Sequence, residues 1–175
     1  MKVHDLEFEP FIDAATIQSR VKELAESLNK EFADKQPLFL AILNGSYIFA
    51  ADLTRAFKFP CEILFVRISS YKGLESSGVV DIEDGNLGNI EGRDIVIIED
   101  IVDSGRTMHH YIPYLKAKNP NSVYLVSLLF KKESLAFDVK VDAFGFEIPP
   151  DFVVGYGLDY NGQGRNLNGL YKIKE

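Results

Sequence analysis

Short apolar runs that alternate with amphipathic segments constrain the fold of this chain more than any other feature. Two continuous apolar runs, Leu38 to Leu43 and Ile95 to Ile98, are typical of strands covered on both faces. Val123 to Phe130, which is largely apolar, is expected to be a further core strand. Apolar residues recur at helical spacing from about Asp13 to Phe32, and again from Met108 onward. This alternation predicts an α/β fold with a mostly parallel central sheet flanked by helices on both faces.

Weaker patterns suggest the remaining elements. A second helix is expected after Gly45, and further strands are expected at Glu62 to Ser69, Phe144 to Ile148, Phe152 to Tyr156 and Leu170 to Ile173. From about residue 71 to residue 93 the apolar pattern lapses, which predicts a mobile functional loop. The length of 175 residues fits a single domain spanning 1–175.

The stretch from Glu99 to Thr107 follows a predicted strand and precedes a predicted helix, at the sheet edge where ligands of such folds bind. Its second half suits a phosphate, because a helix start offers free N–H groups, hydroxyl donors and a glycine. Glu99 and Asp100 instead suit hydroxyl groups, a metal ion or a cationic centre. Each residue alone could simply end a strand or cap a helix. The whole string favours a ligand such as ribose 5-phosphate, with Asp103 facing its middle.

Composition excludes several functional classes. The chain has 26 acidic and 19 basic residues, a net charge of -7 and one cysteine, Cys61. These numbers disfavour nucleic-acid partners and exclude an internal disulfide. The longest apolar runs are shorter than the roughly 20 residues of a membrane-spanning helix. The first residues lack the apolar stretch of a signal peptide, so a cytoplasmic location without a membrane partner is expected.

The segment from Val96 to Met108 resembles the phosphoribosyl-pyrophosphate signature of the type I phosphoribosyltransferase family, in its hypoxanthine-guanine form. Further matching stretches follow the family's order: Leu43 to Ser46 with Asp52 and Leu53, Ser70 with Tyr71, and Phe152 to Asn161 followed by Arg165 to Leu167. The resemblance implies the type I phosphoribosyltransferase fold. It also implies a small purine-binding hood, mainly from about residue 145 to residue 175, and closure of the loop at about 71–93.

The implied activity is purine salvage: Mg²⁺-dependent transfer of the 5-phosphoribosyl group from phosphoribosyl pyrophosphate to hypoxanthine and/or guanine. The products would be IMP or GMP and pyrophosphate. The substrates would be phosphoribosyl pyrophosphate and a 6-oxopurine base, and the family is usually a homodimer or homotetramer. The resemblance does not distinguish among hypoxanthine, guanine and xanthine.

The resemblance also assigns roles to individual residues. Asp103 would be the general base toward N7 of the purine, and Asp159 would be a Mg²⁺ ligand. The ribose hydroxyls and the 5′-phosphate would be bound by Glu99, Asp100, Ser104, Gly105, Arg106 and Thr107. Pyrophosphate would be bound by Asn44, Gly45, Ser46 and Arg165, the purine by Lys131, Phe152 and Val153, and the closing loop would carry Ser70 and Tyr71.

One position departs from the family pattern, since the family commonly has lysine where Asn44 stands. The family often has a cis peptide bond before that position. Asn44 leaves the backbone role of the turn intact but removes a positive charge from it.

Two alternative functions are weighed against phosphoribosyl transfer. An RNA-binding regulator with the same fold would need a broad basic face, which the net charge of -7 disfavours. A metal-dependent phosphohydrolase would use Glu99, Asp100, Asp103 and Asp159 as metal ligands. Release of phosphate from simple esters without any base would favour the phosphohydrolase.

Overall fold

The computed structural model describes residues 1–70, 80–83 and 87–174. Its helices are Ala14–Glu31 (α1), Tyr47–Ala56 (α2) and Arg106–Lys116 (α3). Its strands are Lys2–Val3 (β1), Leu6–Ile12 (β2), Leu38–Leu43 (β3), Glu62–Ser70 (β4), Val80–Glu83 (β5), Asp94–Val102 (β6), Ser122–Phe130 (β7), Ala143–Glu147 (β8), Val153–Val154 (β9) and Leu170–Ile173 (β10).

The main sheet has six strands in the order β5-β4-β3-β6-β7-β8. The pairs β4–β3, β3–β6, β6–β7 and β7–β8 are parallel, and only the edge strand β5 is antiparallel to its neighbour. The carboxyl ends of β3 and β6 therefore meet at one edge of the sheet, as expected for adjacent parallel strands. The predicted fold class, a mostly parallel sheet flanked by helices, is confirmed.

Helices cover both faces of this sheet. One core cluster joins α1 and α2 to the sheet through side chains such as Ile17, Leu28 and Phe49, which are fully buried. The other cluster joins α3 to the opposite face through Met108 and Leu115. None of the described helices has the length and the apolar character that crossing a membrane requires.

A second, smaller sheet, called the hood sheet below, has the order β1-β2-β10-β9. The sequence predicted a hood mainly from residues 145–175, but two of its four strands come from the N-terminus. The alternation of Leu6 and Phe8 is a strand signal, and Pro10 in the same run weakens it. In addition, β8 belongs to the main sheet. That both sheets act as one domain over 1–175 stays a prediction.

The structure describes part of the segment at about 71–93 that the sequence predicted to be a mobile loop. Residues 71–79 and 84–86 lie outside the described residues, so the mobility predicted for them stays a prediction. Val80–Glu83 forms β5 against β4, while Leu87 and Ile90 are 6% and 0% exposed in the α3-side core. The C-terminal part of the segment is therefore packed, because its sparse apolar residues are covered by the sheet and α3.

Strand β6 also runs further than the apolar pattern indicated. The sequence predicted a strand ending at Ile98 and a loop from Glu99 to Thr107. In the structure, Ile101 and Val102 still pair with β7. Because β7 continues to Phe130, it provides hydrogen-bonding partners for these extra residues. Glu99 and Asp100 are therefore held on a strand.

A hydrogen-bond network around the buried side chain of Tyr156 fixes the hood turn, residues 155–158, against the helices. The hydroxyl of Tyr156 donates to Asp52 Oδ2 of α2 at 2.6 Å, and Gln18 of α1 donates to the same oxygen at 2.5 Å. Burial and the Asp52 carboxylate both raise the pKa of Tyr156, so its hydroxyl stays a donor. The network links both helices to the turn that follows β9.

Candidate active site

The turn after β3 lies at the carboxyl edge of the main sheet. The peptide bond between Leu43 and Asn44 is cis. Ser46 is fully buried, and its hydroxyl donates to the carbonyl of Ile42 at 2.5 Å. That hydroxyl is committed to the protein, so any contact of this residue with a ligand must come from its main chain. Asn44, by contrast, is exposed.

Two glycines allow this turn to touch its neighbours. A Cβ atom on Gly45 would overlap the carboxylate of Asp100. A Cβ atom on Gly157, whose φ is +106°, would overlap the carbonyl oxygen of Gly45. The end of β3 is therefore in direct contact with the end of β6 and with the hood turn. Any side chain larger than the hydrogen of glycine, at position 45 or 157, would prevent this contact.

Glu99 and Asp100 form an adjacent pair of carboxyl groups at the end of β6. Although both residues keep some exposed surface, burial raises the pKa of Glu99 well above its usual value, and the charge of Asp100 adds to the rise. Burial likewise raises the pKa of Asp100, opposed by the N–H of Ile101, which donates to Oδ1 at 2.8 Å. Among the described residues Oε2 of Glu99 is buried without a hydrogen-bond partner, which suits a hydroxyl donor from a ligand.

A polar pocket surrounds the start of α3. It is lined by Glu99 and by residues 101–108, which include Ser104, Gly105, Arg106 and Thr107. Gly105 has a left-handed φ of +80° and packs against Leu135 and Phe137. The carbonyl of Ser104 accepts from the N–H groups of Ala136 and Phe137 at 3.0 and 3.2 Å. The loop is thus held open at a helix N-terminus, the arrangement that favours an anion.

Lys131 and Asp103 form an ion pair beside this pocket. Lys131 Nζ donates to Asp103 Oδ2 at 3.0 Å. The lysine side chain is 8% exposed, whereas the aspartate side chain is 54% exposed. The structure therefore places a buried donor and an accessible acceptor side by side, at the ends of β7 and β6.

An aromatic side chain, that of Phe152, lines the same cleft as this pair. Phe152 is 41% exposed and is supported from behind by Tyr160 and Phe8, whose ring centroids lie 5.7 and 6.1 Å away. Val153 follows it in β9 and is buried. An exposed phenyl ring with an aromatic support offers one face for stacking on a planar ligand.

Asp159 and Arg165 form an ion pair within the segment that connects strands β9 and β10 of the hood sheet. Arg165 Nη2 lies 2.6 Å from Asp159 Oδ1, and Arg165 Nη1 donates to the carbonyl of Gly157 at 2.7 Å. Asp159 Oδ2 accepts from the N–H of Gly162 at 2.6 Å. In the described part of the chain, no three His, Cys, Asp or Glu side chains gather as a metal cluster.

The predicted residues largely converge. One cleft is lined by Asp100, Ile101, Asp103, Lys131, Phe152, Val153, Leu158 and Asp159, and it shares Ile101 and Asp103 with the pocket at α3. Asn44, Gly45 and Ser46 adjoin it through the contact of Gly45 with Asp100. Ser70 ends β4, and nothing is described of its side chain. Tyr71 lies outside the described residues.

Some residues of the site were missed by sequence reasoning. Ile101 and Leu158 line the cleft, but as single apolar residues they carried no signal. Arg67 of β4 donates to Asn44 Oδ1 at 3.4 Å. Its position near the carboxyl end of a predicted strand could have identified it from the sequence as a candidate site residue. The bond between Asp52 and Tyr156 joins residues 104 positions apart, and no local pattern predicts such a contact.

Comparisons with known proteins agree with this geometry. Residues 13–161 match the family described as phosphoribosyl transferase domain. The hypoxanthine-guanine phosphoribosyltransferase of Dictyostelium discoideum is 44% identical over 165 residues, covering 91% of each chain. That of Bacillus subtilis (strain 168) is 42% identical over 168 residues, covering 95% of this chain and 93% of the relative. Neither the RNA-binding regulator nor the phosphohydrolase finds support in these relatives.

Solved structures of phosphoribosyltransferases have the same fold as this chain. A hypoxanthine-guanine phosphoribosyltransferase from Bacillus anthracis superposes with a TM-score of 0.90 at 33% identity, covering 97% of this chain and 100% of that chain. A hypoxanthine phosphoribosyltransferase from Staphylococcus aureus has a TM-score of 0.90 at 37% identity, covering 97% and 92%. The resemblance drawn from the sequence is confirmed, and the chain belongs to the phosphoribosyltransferase family.

Proposed function

We propose that the chain transfers the 5-phosphoribosyl group from phosphoribosyl pyrophosphate to a 6-oxopurine, hypoxanthine and/or guanine, giving IMP or GMP and pyrophosphate. The observation that carries this proposal is the ion pair of Lys131 and Asp103 beside the exposed ring of Phe152. The relatives named above have this activity in their names. The same ion pair also determines, in this proposal, which purine base is accepted.

A 6-oxopurine presents its 6-oxo acceptor and N7 next to each other on one edge. Lys131 can donate to the oxygen while Asp103 accepts from a protonated N7, since the two side chains lie 3.0 Å apart. Adenine would place an amino donor against the lysine, leaving two donors opposed. Phe152 would stack on the ring, and the main chain of Val153 would contact its far edge.

The sugar and its 5′-phosphate fit the two pockets that adjoin this pair. The hydroxyl groups of ribose would donate to the carboxyl groups of Glu99 and Asp100, where Oε2 of Glu99 needs a donor. The 5′-phosphate would occupy the start of α3, bound by N–H groups and by Ser104, Gly105, Arg106 and Thr107. Pyrophosphate would then lie toward the turn of Asn44, Gly45 and Ser46, near Arg165.

The proposed reaction forms the bond between N9 of the purine and C1′ of the sugar while the bond from C1′ to the pyrophosphate oxygen breaks. The N7 proton passes to the Asp103 carboxylate as the base becomes nucleophilic. The same carboxylate can stabilise positive charge that develops on the sugar ring. Lys131 keeps Asp103 in place through their ion pair. Ser70 and Tyr71 would belong to a loop that closes over the site and excludes water.

Magnesium suits the oxygen ligands of this site. Mg²⁺ takes one or two protein carboxylates and completes its shell with waters and substrate oxygens. Asp159 would hold it, because its carboxylate is fixed by Arg165 and by the N–H of Gly162 and lines the cleft. The bound ion would neutralise the charge that develops on the leaving pyrophosphate.

Other features of the proposal rest on the family resemblance, for the oligomeric state, and on composition, for the location and partners. The protein would assemble as a homodimer or a homotetramer. It would act in the cytoplasm, without nucleic-acid or membrane partners.

The direct test measures pyrophosphate release from phosphoribosyl pyrophosphate and Mg²⁺ with hypoxanthine, guanine, xanthine or adenine in turn. We expect release with hypoxanthine or guanine, and little with adenine. A reaction without base serves as the control for hydrolysis. No release with any 6-oxopurine would contradict the proposal, and base-independent release of phosphate from simple esters would favour a phosphohydrolase.

Replacing Asp103 with asparagine keeps the shape of the side chain but removes the proton acceptor. We expect kcat to fall about 100-fold or more, the usual contribution of a general base, with a smaller change in KM. Steady-state kinetics measures both. Asp34→Asn, at an exposed position outside the cleft, is the control. A kcat near that of the wild type would refute the role of Asp103 as the base.

Replacing Lys131 with alanine removes the donor to the 6-oxo group. The preference for hypoxanthine over adenine, measured as the ratio of kcat/KM values, should fall at least about tenfold, as the loss of a charged hydrogen bond implies. Lys132→Ala changes the exposed neighbouring lysine and should leave the ratio unchanged. If both variants keep the wild-type ratio, Lys131 does not read the base.

A further inference from the structure

The cations in and around the active-site cleft contact different kinds of group. Lys131 is paired with the Asp103 carboxylate at 3.0 Å, and Arg165 is paired with the Asp159 carboxylate at 2.6 Å. Arg67 instead donates to a neutral group, the amide oxygen of Asn44, at 3.4 Å. Among the residues whose side chains the structure describes, which do not include Glu83 opposite it in β5, Asn44 is the only hydrogen-bond partner of the Arg67 side chain.

The position of Arg67 is set by the sheet. It lies opposite Leu43 in the parallel pairing of β3 with β4, one residue before the turn of Asn44, Gly45 and Ser46. Its side chain is exposed and reaches across to the first residue of that turn. A guanidinium group has five N–H donors, so four remain after the contact with Asn44.

The charge of the site makes this cation significant. Gly45 touches the carboxyl group of Asp100, which lies next to Glu99 in β6, so the side of the turn that faces β6 offers carboxyl groups and no cation. Pyrophosphate is a polyanion, and carboxylates near it must be offset by cations or by a metal ion. The turn itself contains no basic residue. Arg67 is the cation in contact with it.

On the basis of the function proposed above, we propose that Arg67 is a pyrophosphate-binding residue, positioned by the carboxamide of Asn44. The guanidinium fork binds phosphate oxygens with two parallel hydrogen bonds. Asn44 orients this fork toward the turn. The role applies to phosphoribosyl pyrophosphate and to free pyrophosphate, and not to the purine nucleoside monophosphate, which lacks the pyrophosphate group.

Binding of two ligands separates this role from the rest of the site. Isothermal titration calorimetry with Mg²⁺ would measure the Kd of pyrophosphate and the Kd of IMP for the wild type and for Arg67→Ala. We expect the alanine variant to bind pyrophosphate at least about tenfold more weakly, as loss of a charge-assisted hydrogen bond implies, with IMP affinity within about twofold of wild type. Arg67→Gln, which keeps the stem of the side chain, replaces the alanine variant if that one fails to fold.

Two further variants sharpen the test. Asn44→Lys, combined with Arg67→Ala, returns a cation to the turn and should restore most of the lost pyrophosphate affinity. Glu83 is the antiparallel partner of Arg67 in β5, so Glu83→Gln is the control for an ordinary cross-strand pair. It should leave pyrophosphate binding unchanged.

The outcomes distinguish this inference from the proposed function. Unchanged pyrophosphate affinity in Arg67→Ala, an equal loss of IMP affinity, or an equal effect of Glu83→Gln would each overturn the role of Arg67. A wild-type protein that binds neither IMP nor pyrophosphate would overturn the proposed function itself.

Discussion

The site depends on one close contact, in which the turn after β3 is packed between the Asp100 carboxylate and the hood turn. Gly45 and Gly157 make this contact possible, because a Cβ atom at either position would overlap its neighbour. The hood turn is held in place from the other side by Tyr156, which donates to Asp52 of α2. The close packing of the backbone between the two sheets therefore helps to determine where the cleft residues lie, in addition to the contacts of their own side chains.

Within the site, the carboxyl groups and the groups that can bind an anion lie at different places. Burial disfavours the charged forms of Glu99 and Asp100, so the end of β6 suits hydroxyl donors from a sugar. The start of α3 supplies backbone N–H groups for an anion, although the whole chain carries a net charge of -7. Lys131 and Arg165 each hold a carboxylate in place. A phosphate-rich substrate is thus compatible with an acidic protein, because positive potential is local.

Sequence patterns were sufficient for the parallel sheet and for the polar stretches at its strand ends, whereas the family resemblance was needed to name Lys131, Phe152 and Val153 of the cleft. Sequence patterns failed where pairing with a distant segment decided the structure. The N-terminal half of the hood sheet depends on β2 pairing with β10, and Pro10 weakened its local signal. The contact of Arg67 with Asn44 likewise depends on the register of β3 and β4, which neither segment specifies alone.

The most direct measurement compares Gly157→Ala with Gly92→Ala in kcat/KM for phosphoribosyl pyrophosphate. Both glycines have a left-handed φ, but nothing lies within 4 Å of a Cβ atom on Gly92, whereas one on Gly157 would overlap the carbonyl of Gly45. If the close contact aligns the site, Gly157→Ala should lower kcat/KM about 100-fold, the effect of displacing reacting groups by about 1 Å, and Gly92→Ala should not. Equal values for the two variants would contradict the account.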